Sequence, residues 1–425
     1  MDGLSVGLEF VVAYVFWYPL VMSLAWMAGA AVFWWQRERP EPAWDEPPAL
    51  PEAPPVSVLI PCFNEEENAE ETITHALALD YPEFEVVAIN DGSSDGTAAV
   101  LDRLAARHPR LRVVHLAENQ GKALALRAGA LLARHEVLVC IDGDALLDRH
   151  AARWLVRHFV EDAEVAAVTG NPRIRNRSTL LGRVQVGEFS CIVGTIKRAQ
   201  RIFGRIFTVS GVITAFRRSA VHQVDYWSTD VLTEDTDVTW KLYRAGWEVR
   251  FEPRALTWIL MPETIRGLWK QRLRWATGGA QVLLKNLDAF LRPAQRSLWP
   301  LMVENLASVA WAYGMVLVAL AWLAGIAWPA IAWTGGAFGS PGSPFLPHGR
   351  GVVLGAVCLL QFAFSTWMDA RYDRDLARIL FWMIWYPVAY WMIGCATTVV
   401  AYPRALARGR SARARWVSPD RGIRP

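Results

Sequence analysis

The sequence predicts an α/β domain with a mostly parallel sheet, attached to membrane-spanning helices. Short Val- and Ile-rich runs alternate with helical patterns from residue 56 to about residue 170, and this alternation is typical of a parallel sheet with helices on both faces. Long apolar stretches lie on either side of the region. The 22 Trp residues among 425 agree with a membrane protein, because Trp collects at membrane–water interfaces.

Net charge and cysteine content exclude several other classes of protein. The formal net charge of +3 is too small to favour a nucleic-acid polymer as a partner. The five cysteines are scattered and lack the spacing of a zinc site or a disulfide framework. We therefore expect reduced cysteines in the core or in the membrane.

The first long apolar stretch predicts a transmembrane helix within residues 1–36. Phe10 to Trp35 contains no charged residue and is long enough to span a bilayer. Arg37 and Arg39 follow directly, so the positive-inside rule places the next domain in the cytoplasm. The proline-rich residues 37–55 are typical of a linker.

Residues 56–262 form one predicted domain. Strands are expected at 56–61, 84–90, 111–117, 136–142 and 164–170, and helices at 66–79, 97–107, 120–134 and 149–161. The first of these helices is expected to open with Glu65, Glu66 and Glu67, which complement its positive end. The pattern weakens between residues 171 and 205. Beyond it we expect strand and turn in 208–221, a loop entering a helix in 231–247, and a strand in 247–256.

The remaining residues predict interfacial and membrane segments. Residues 263–297 mix Trp, Leu and basic residues, as an interfacial helix does. Apolar stretches at 298–328, 351–368 and 379–402 define a transmembrane region over 298–403 and raise the expected spans to four. Four spans leave the C-terminus outside, whereas the basic tail 404–425 favours the inside. One of the last segments is therefore interfacial, re-entrant or double.

Two carboxylates follow the strand at 136–142. Asp142 and Asp144 are separated by one glycine and stand where open α/β sheets bind ligands. Their hard oxygen atoms suit Mg²⁺ or Mn²⁺. A plain acidic turn is the alternative interpretation.

Further polar residues follow the first two strands. Pro61, Asn64 and Glu65 stand where a loop can hold a nucleotide base, and Asp91 follows the second strand beside small residues. An Asx turn or a helix cap also explains Asp91. Lys122 follows a glycine at a helix start and suits phosphate, although a solvated surface lysine is the alternative.

Two more motifs lie further along the chain. Glu234 and Asp235 begin a predicted helix, where they are either catalytic carboxylates, one of which takes a proton from an attacking hydroxyl, or part of an N-cap. Gln271, Arg274 and Trp275 share one helical face. Arg can neutralise a diphosphate and indole can stack on a sugar, whereas an ordinary interfacial Trp among basic residues is the alternative.

The order of these motifs resembles the processive family 2 glycosyltransferases, which include cellulose, chitin, hyaluronan and poly-N-acetylglucosamine synthases. The resemblance covers residues 17 to about 404 and is greatest to bacterial poly-N-acetylglucosamine synthases. The segments that carry it are IPCFNEEEN (60–68), VCIDGDALLDR (139–149), AVTGNPRIRNRSTL (167–180), TVSGVITAFRRSA (208–220) and residues 252–286.

The resemblance implies a GT-A fold, UDP-N-acetylglucosamine and a divalent metal. It implies that Asp91 contacts the uracil, Asp142 the nucleotide and Asp144 the metal, with Asp235 as general base. Gln271, Arg274 and Trp275 would hold the acceptor end and the diphosphate. It further implies a β-1,6-linked biofilm polysaccharide that crosses the bacterial inner membrane, a small membrane partner subunit, and activation by cyclic di-GMP.

Three alternatives stay open at this stage. They are another membrane β-glycan synthase of the hyaluronan, chitin or cellulose type, a transferase that adds one sugar to a lipid carrier, and a membrane scaffold without catalysis. Intact Asp142, Asp144 and Asp235 count against the scaffold, and Gln271, Arg274 and Trp275 count against single addition.

Overall fold

The computed structural model describes residues 3–327, 350–373, 375–383 and 386–408. The end of the apolar stretch at 298–328 and most of the basic tail, including Arg410, Arg413 and Arg415, lie outside these residues.

The described strands form one eight-stranded sheet in the order β3-β2-β1-β4-β7-β6-β8-β5. Four neighbouring pairs, including all those among β1 to β4, are parallel and three are antiparallel, so the sheet is mixed with a parallel half. The strands are β1 Val56–Cys62, β2 Phe84–Asp91, β3 Leu111–Leu116, β4 Val137–Ile141, β5 Leu146–Leu147, β6 Val165–Ile174, β7 Ile213–Arg217 and β8 Glu248–Ile259.

Helices cover both faces of this sheet. Along β1, Val58 and Ile60 enter one buried cluster and Leu59 enters the other, which explains why the strand has no polar alternation. One face carries α2 Ala69–Leu77, α3 Thr97–Ala105 and α5 Ala151–Glu161. The other face carries α4 Lys122–Leu132 and α9 Glu234–Arg244. The five predicted strands and four predicted helices of residues 56–170 are confirmed to within a few residues, with β6 extended to Ile174.

One local prediction was wrong, and one stretch had no predicted element. The first helix begins at Ala69 behind Asn68, so Glu65, Glu66 and Glu67 lie in the preceding turn and not in the helix. The segment after β6, for which the sequence predicted no element, contains α6 Leu180–Phe189, a π-helical segment Ser190–Ile196 and α7 Lys197–Phe203. A short helix α8, Arg218–Gln223, follows β7.

Long helices flank the sheet domain at both ends of the chain. The N-terminal α1, Gly3–Phe33, continues as a π-helical turn to Glu38. After β8 come α10 Ile265–Lys285, α11 Trp299–Ala327, α12 Arg350–Asp369, α13 Leu376–Met383 and α14 Tyr386–Arg408.

Three helices in the described part of the chain are long and apolar enough to cross a membrane. They lie within Gly7–Glu38, Pro293–Ala324 and Arg350–Asp369. The fourth predicted span, residues 379–402, is described as the two helices α13 and α14 and does not meet the same test. The number of spans and the side of the C-terminus stay predictions.

Candidate active site

The turn after β4 places Asp142 and Asp144 at the carboxyl ends of the parallel strands β1, β2 and β4. Gly143 packs against the loop after β1, since a Cβ atom there would lie 2.9 Å from the Pro61 carbonyl oxygen and 3.1 Å from Glu65 Cγ. Thr72 donates a 3.0 Å hydrogen bond to the Gly143 carbonyl. Only glycine fits this contact, and both flanking carboxylates keep partial exposure.

The loops after β1 and β2 hold each other. Asn64 has a left-handed backbone (φ 54°), which Asn tolerates better than most residues. Its side-chain oxygen accepts a 2.9 Å bond from the Ser94 amide. Glu65 is buried, and its amide donates a 2.7 Å bond to Thr97 Oγ1. Pro61 is also buried. The base-holding role of these residues stays a prediction.

Asp91 organises the loop that carries Lys122. Its two carboxylate oxygens accept 2.8 Å hydrogen bonds from the amides of Gln120 and Gly121, and the residue is fully buried. Burial raises the pKa of Asp91, against the lowering effect of the two amide bonds. The helix-cap alternative was wrong, because Asp95 accepts the bond from the Thr97 amide at the start of α3. Contact of Asp91 with uracil stays a prediction.

Lys122 joins the turn after β4 to the start of α9. Its ammonium forms an ion pair with Asp142, lies 3.4 Å from Glu234 Oε1, and donates a 3.0 Å bond to the Gly211 carbonyl. Its side chain is 14% exposed, so the surface alternative was wrong. Burial lowers the pKa of Lys122, but Asp142 and Glu234 outweigh it and hold the pKa above its usual value. Residues separated by about 110 positions thus meet in one cluster.

Asp235 lies in the same cluster with its oxygens held by the backbone. Oδ2 accepts a 3.2 Å bond from the Gly211 amide and Oδ1 a 2.8 Å bond from the Thr236 amide. Burial and then the charge of Glu234 raise the pKa of Asp235, whereas Lys122 and Arg274 lower it. Thr233 makes no side-chain cap bond, so the start of α9 is not a simple N-cap.

Helix α10 packs directly against the residue before Glu234. A Cβ atom at Gly278 would lie 2.4 Å from Thr233 Oγ1. Trp275 lies between Phe189, at 6.4 Å between ring centroids, and the Arg272 guanidinium, at 4.4 Å from its ring. It is partly buried and packs against the core.

Gln271 and Arg274 lie on the same helix. The Gln271 amide contacts the Met261 sulfur at 3.8 Å. Arg274 is exposed, and its charge acts on Asp235. The structure therefore places α10 next to the acidic residues of α9, and the acceptor-holding role of its residues stays a prediction.

Three features of the site escaped sequence analysis. Gly211 contacts both Lys122 and Asp235, and a Cβ there would lie 3.1 Å and 3.2 Å from their charged atoms. Lys197 on α7 is 6% exposed and its charge interacts with that of Asp235. Glu188 on α6 lies 2.9 Å from Arg272 Nη2. The Ser-Gly pair before β7 was a usable signal, but nothing local marked Lys197 or Glu188.

Carboxylates clustered at the carboxyl ends of parallel strands in a mixed sheet are typical of GT-A glycosyltransferases. The fold is similar to that of a mannosyltransferase from Pyrobaculum calidifontis solved with GDP-Man and Mn²⁺, with a TM-score of 0.58 and 23% identity over 89% of this chain and 99% of that chain. The family described as "Glycosyltransferase like family 2" matches residues 54–278, and the chain belongs to it.

Named relatives extend the match over nearly the whole chain. The poly-beta-1,6-N-acetyl-D-glucosamine synthase of Staphylococcus epidermidis is 38% identical over 410 residues, which are 96% of this chain and 98% of the relative. The enzyme of the same name from Staphylococcus aureus strain COL is 40% identical over the same shares. The predicted family, fold class and enzyme class are confirmed.

Proposed function

We propose that the chain is a processive, inverting glycosyltransferase that polymerises N-acetylglucosamine from UDP-N-acetylglucosamine into a β-1,6-linked exopolysaccharide and moves it across the inner membrane. The similarity to synthases of that polymer runs through the membrane helices as well as the sheet domain. The observation that carries the proposal is the Lys122 cluster, which joins the turn at Asp142 to the acids at Glu234 and Asp235.

Asp235 acts as the general base in this proposal. Its raised pKa makes it a stronger base than an exposed Asp, and a base is most effective when its pKa lies nearer the working pH. It takes the proton of the acceptor hydroxyl while that oxygen attacks the anomeric carbon. The bond from that carbon to the diphosphate oxygen breaks, and its electron pair leaves with UDP. One displacement inverts the anomeric centre without a covalent sugar–enzyme intermediate.

Asp144 would supply oxygen atoms for Mg²⁺ or Mn²⁺, and Asp142 would contact the nucleotide. Among the described residues, no group of three or more His, Cys, Asp or Glu is placed to hold a metal. This donor set fits a cation held by one or two carboxylates and substrate phosphates. When bound, the metal would neutralise charge on the diphosphate. The mannosyltransferase of similar fold was solved with Mn²⁺.

The acceptor end of the polymer lies against α10. Trp275 offers a flat apolar ring to a sugar, and Gln271 offers an amide to hydroxyls. Arg274 and Lys122 supply positive charge near the leaving diphosphate. Pro61, Asn64, Glu65 and Asp91 shape the nucleotide end.

The proposed setting is a multi-pass protein of the bacterial cytoplasmic membrane with its catalytic domain in the cytoplasm. Arg37 and Arg39 after α1 support this orientation. We keep the domain bounds 1–36, 37–55, 56–262, 263–297, 298–403 and 404–425. A small membrane partner subunit and cyclic di-GMP activation belong to the same proposal.

Product analysis tests the proposal. Full-length protein in nanodiscs with divalent metal is given radiolabelled UDP-N-acetylglucosamine, UDP-glucose or UDP-glucuronate. We expect only N-acetylglucosamine to enter a long product, which a β-1,6-specific hexosaminidase degrades and which cellulase, chitinase and hyaluronidase leave intact. The Asp235→Asn variant is the negative control and should form almost no product.

Other products would contradict the proposal in different ways. Glucose incorporation would indicate a cellulose-type enzyme. A product cut by chitinase or hyaluronidase would identify the polymer as chitin or hyaluronan. A lipid carrying one sugar would indicate single addition.

A further inference from the structure

A cavity of about 350 Å³ lies beside the membrane helices and apart from the residues of the catalytic cluster. Its walls come from the segment after β6, from α6 and from α13. The lining residues are Arg177, Arg183, Asp375, Arg378, Ile379 and Trp382. Three guanidinium groups thus face one carboxylate.

The arginines differ in how fully they are neutralised. Arg177 pairs with Asp373, which does not line the cavity, and donates to the Ile174 carbonyl at 2.9 Å and 3.0 Å. Arg378 is 87% exposed and has a 3.1 Å contact with Asp375, which directly precedes its helix. Screening by water makes this contact weak.

Arg183 is the group that most needs an anion. Its Nε donates a 3.0 Å bond to the Arg177 carbonyl, and its guanidinium lies 5.2 Å from the centre of the Trp382 ring. No carboxylate in the described part of the chain forms an ion pair with it. A half-buried guanidinium between an indole and an open cavity is a suitable donor for phosphate oxygens.

Two exposed apolar side chains, named here the apolar border, lie on the same two helices α6 and α13. Leu180 at the start of α6 is 55% exposed, and Phe381 on α13 is 65% exposed. The Phe381 and Trp382 rings lie 5.3 Å apart. Helix α13 follows the candidate span α12 after a short turn. Trp, exposed Phe and Arg on one short helix next to a span are typical of the membrane interface.

We propose that this cavity binds the phosphate of an anionic phospholipid headgroup from the cytoplasmic leaflet. Basic pockets next to membrane helices on the cytoplasmic side have this preference. The shared chemistry is a phosphate oxygen against Arg183 and Arg378, while the apolar border at Leu180 and Phe381 selects a source with acyl chains over a soluble one. The proposal does not depend on which sugar the enzyme transfers.

Native mass spectrometry of the full-length protein in detergent tests the site directly. Phosphatidylglycerol and phosphatidylcholine are titrated separately. We expect one phosphatidylglycerol to bind more tightly than any phosphatidylcholine. The Arg183→Ala/Arg378→Ala variant should weaken that binding by roughly tenfold or more. The charge-matched control Arg103→Ala/Arg107→Ala removes two exposed arginines near the opposite, β3 edge of the sheet and should bind like the parent.

Two further measurements keep the test independent of folding. Arg183→Lys/Arg378→Lys retains the charge and should retain most of the phosphatidylglycerol binding. In the parent protein, phosphatidylglycerol should slow amide exchange in residues 180–189 relative to phosphatidylcholine.

Several outcomes would overturn the assignment. These are equal binding of the two lipids, undiminished binding in the alanine variant, or equal losses in the alanine and lysine variants. Displacement of the lipid by inorganic phosphate or by cyclic di-GMP would assign the arginines to a soluble anion instead.

Discussion

At the scale of single residues, Lys122 determines how the acidic groups of the site are arranged. Without it, Asp142, Glu234 and Asp235 would place several negative charges in a poorly hydrated cluster, which is strongly unfavourable. The ammonium group of Lys122 therefore balances much of the negative charge that these carboxylates concentrate at the site.

The elevated pKa of Asp235 predicts the acid side of the pH–rate profile. The base must be deprotonated, so the rate should fall as the pH drops through this raised pKa. Glu234→Gln removes one of the charges that raise it, and the acid limb should move to lower pH. Asp235→Asn should reduce turnover by roughly 10²–10⁴-fold.

Initial rates of polymer synthesis between pH 5 and pH 9 measure the acid limb of the pH–rate profile. Calorimetry with UDP-N-acetylglucosamine measures donor binding. Binding should survive in Asp235→Asn. An acid limb that stays in place in Glu234→Gln would remove Asp235 as the titrating base.

Lys197 is a buried cation with no ion-pair partner in the described part of the chain. Burial lowers its pKa to about 7, although Asp235 opposes this change. From about pH 7 up to the ordinary lysine pKa of 10.5 the unfolded chain holds more protons than the folded one, so stability should rise with pH across that window. Below about pH 7 Lys197 is charged in both the folded and the unfolded chain, so the free-energy cost of burying its charge is fully present.

Lys197→Met should therefore raise the melting temperature at pH 7 and flatten its pH dependence. The upper limit of the gain is about 5 kcal/mol, from about 3.5 pKa units at about 1.4 kcal/mol each. Lys285→Met is the contrasting control, because Lys285 lies 3.0 Å from the buried Asp237 and its loss should destabilise. Melting curves in detergent decide, and a lower melting temperature for Lys197→Met would contradict the argument.

At the scale of elements, substitutions at two adjacent glycines in α10 distinguish the effect of packing from the effect of helix propensity. A Cβ at Gly278 would lie 2.4 Å from Thr233, whereas at Gly279 its nearest neighbour is Phe207 Cζ at 3.9 Å. Gly278→Ala should push α10 away from Glu234 and Asp235 and lower turnover roughly ten- to hundredfold. Gly279→Ala should stabilise the helix by up to about 1 kcal/mol and keep turnover within about twofold. Turnover and melting temperature of both variants measure this, and equal turnover would contradict it.

Sequence periodicity predicted most elements of the sheet domain because their cores are local. The runs at β1, β2 and β4 are buried along their whole length, and buried apolar strands are recognisable without partners. Helices α6 and α7 were missed because they bury Glu188, Lys197 and Arg198. Their polar residues look like surface until partners such as Asp369, 171 residues away from Arg198, are placed.

The candidate site likewise has residues that the sequence predicts and contacts that it does not. Asp142, Asp144, Glu234 and Asp235 stand at strand or helix ends and were predictable from their positions. Their contacts through Lys122 and Gly211 depend on the mixed half of the sheet, where β7 lies antiparallel to β4 and β6. Sequence pattern alone does not determine that pairing.

At the scale of the whole molecule, a buried ionic cluster joins two of the candidate membrane-spanning helices to the sheet domain. Arg198 on α7 contacts Glu38 beyond α1 at 2.7 Å and 2.9 Å, and Asp369 at the end of α12 at 2.9 Å. Arg173 on β6 completes it with a 2.6 Å contact to Asp369. All four side chains are at most 1% exposed. Glu38 and Asp369 lie outside residues 54–278, which match the family. Residues 54–278 without them are therefore unsuited to folding alone.

Removing the central arginine of this cluster should destabilise the protein far more than removing a surface one. Arg198→Met leaves the buried Glu38 carboxylate without an ion-pair partner among the described residues and Asp369 with Arg173 as its cation. A broken buried pair costs about 3–5 kcal/mol. Arg175→Met removes a 2.8 Å pair with Glu71 whose side chains are 34% and 44% exposed, a loss of about 1 kcal/mol or less. Melting temperature and protease resistance in detergent measure both variants. The geometry predicts a loss of stability in Arg198→Met alone, with release of a protease-sensitive sheet domain. Equal stability of the two variants would mean that the cluster does not couple the candidate membrane helices to the catalytic domain.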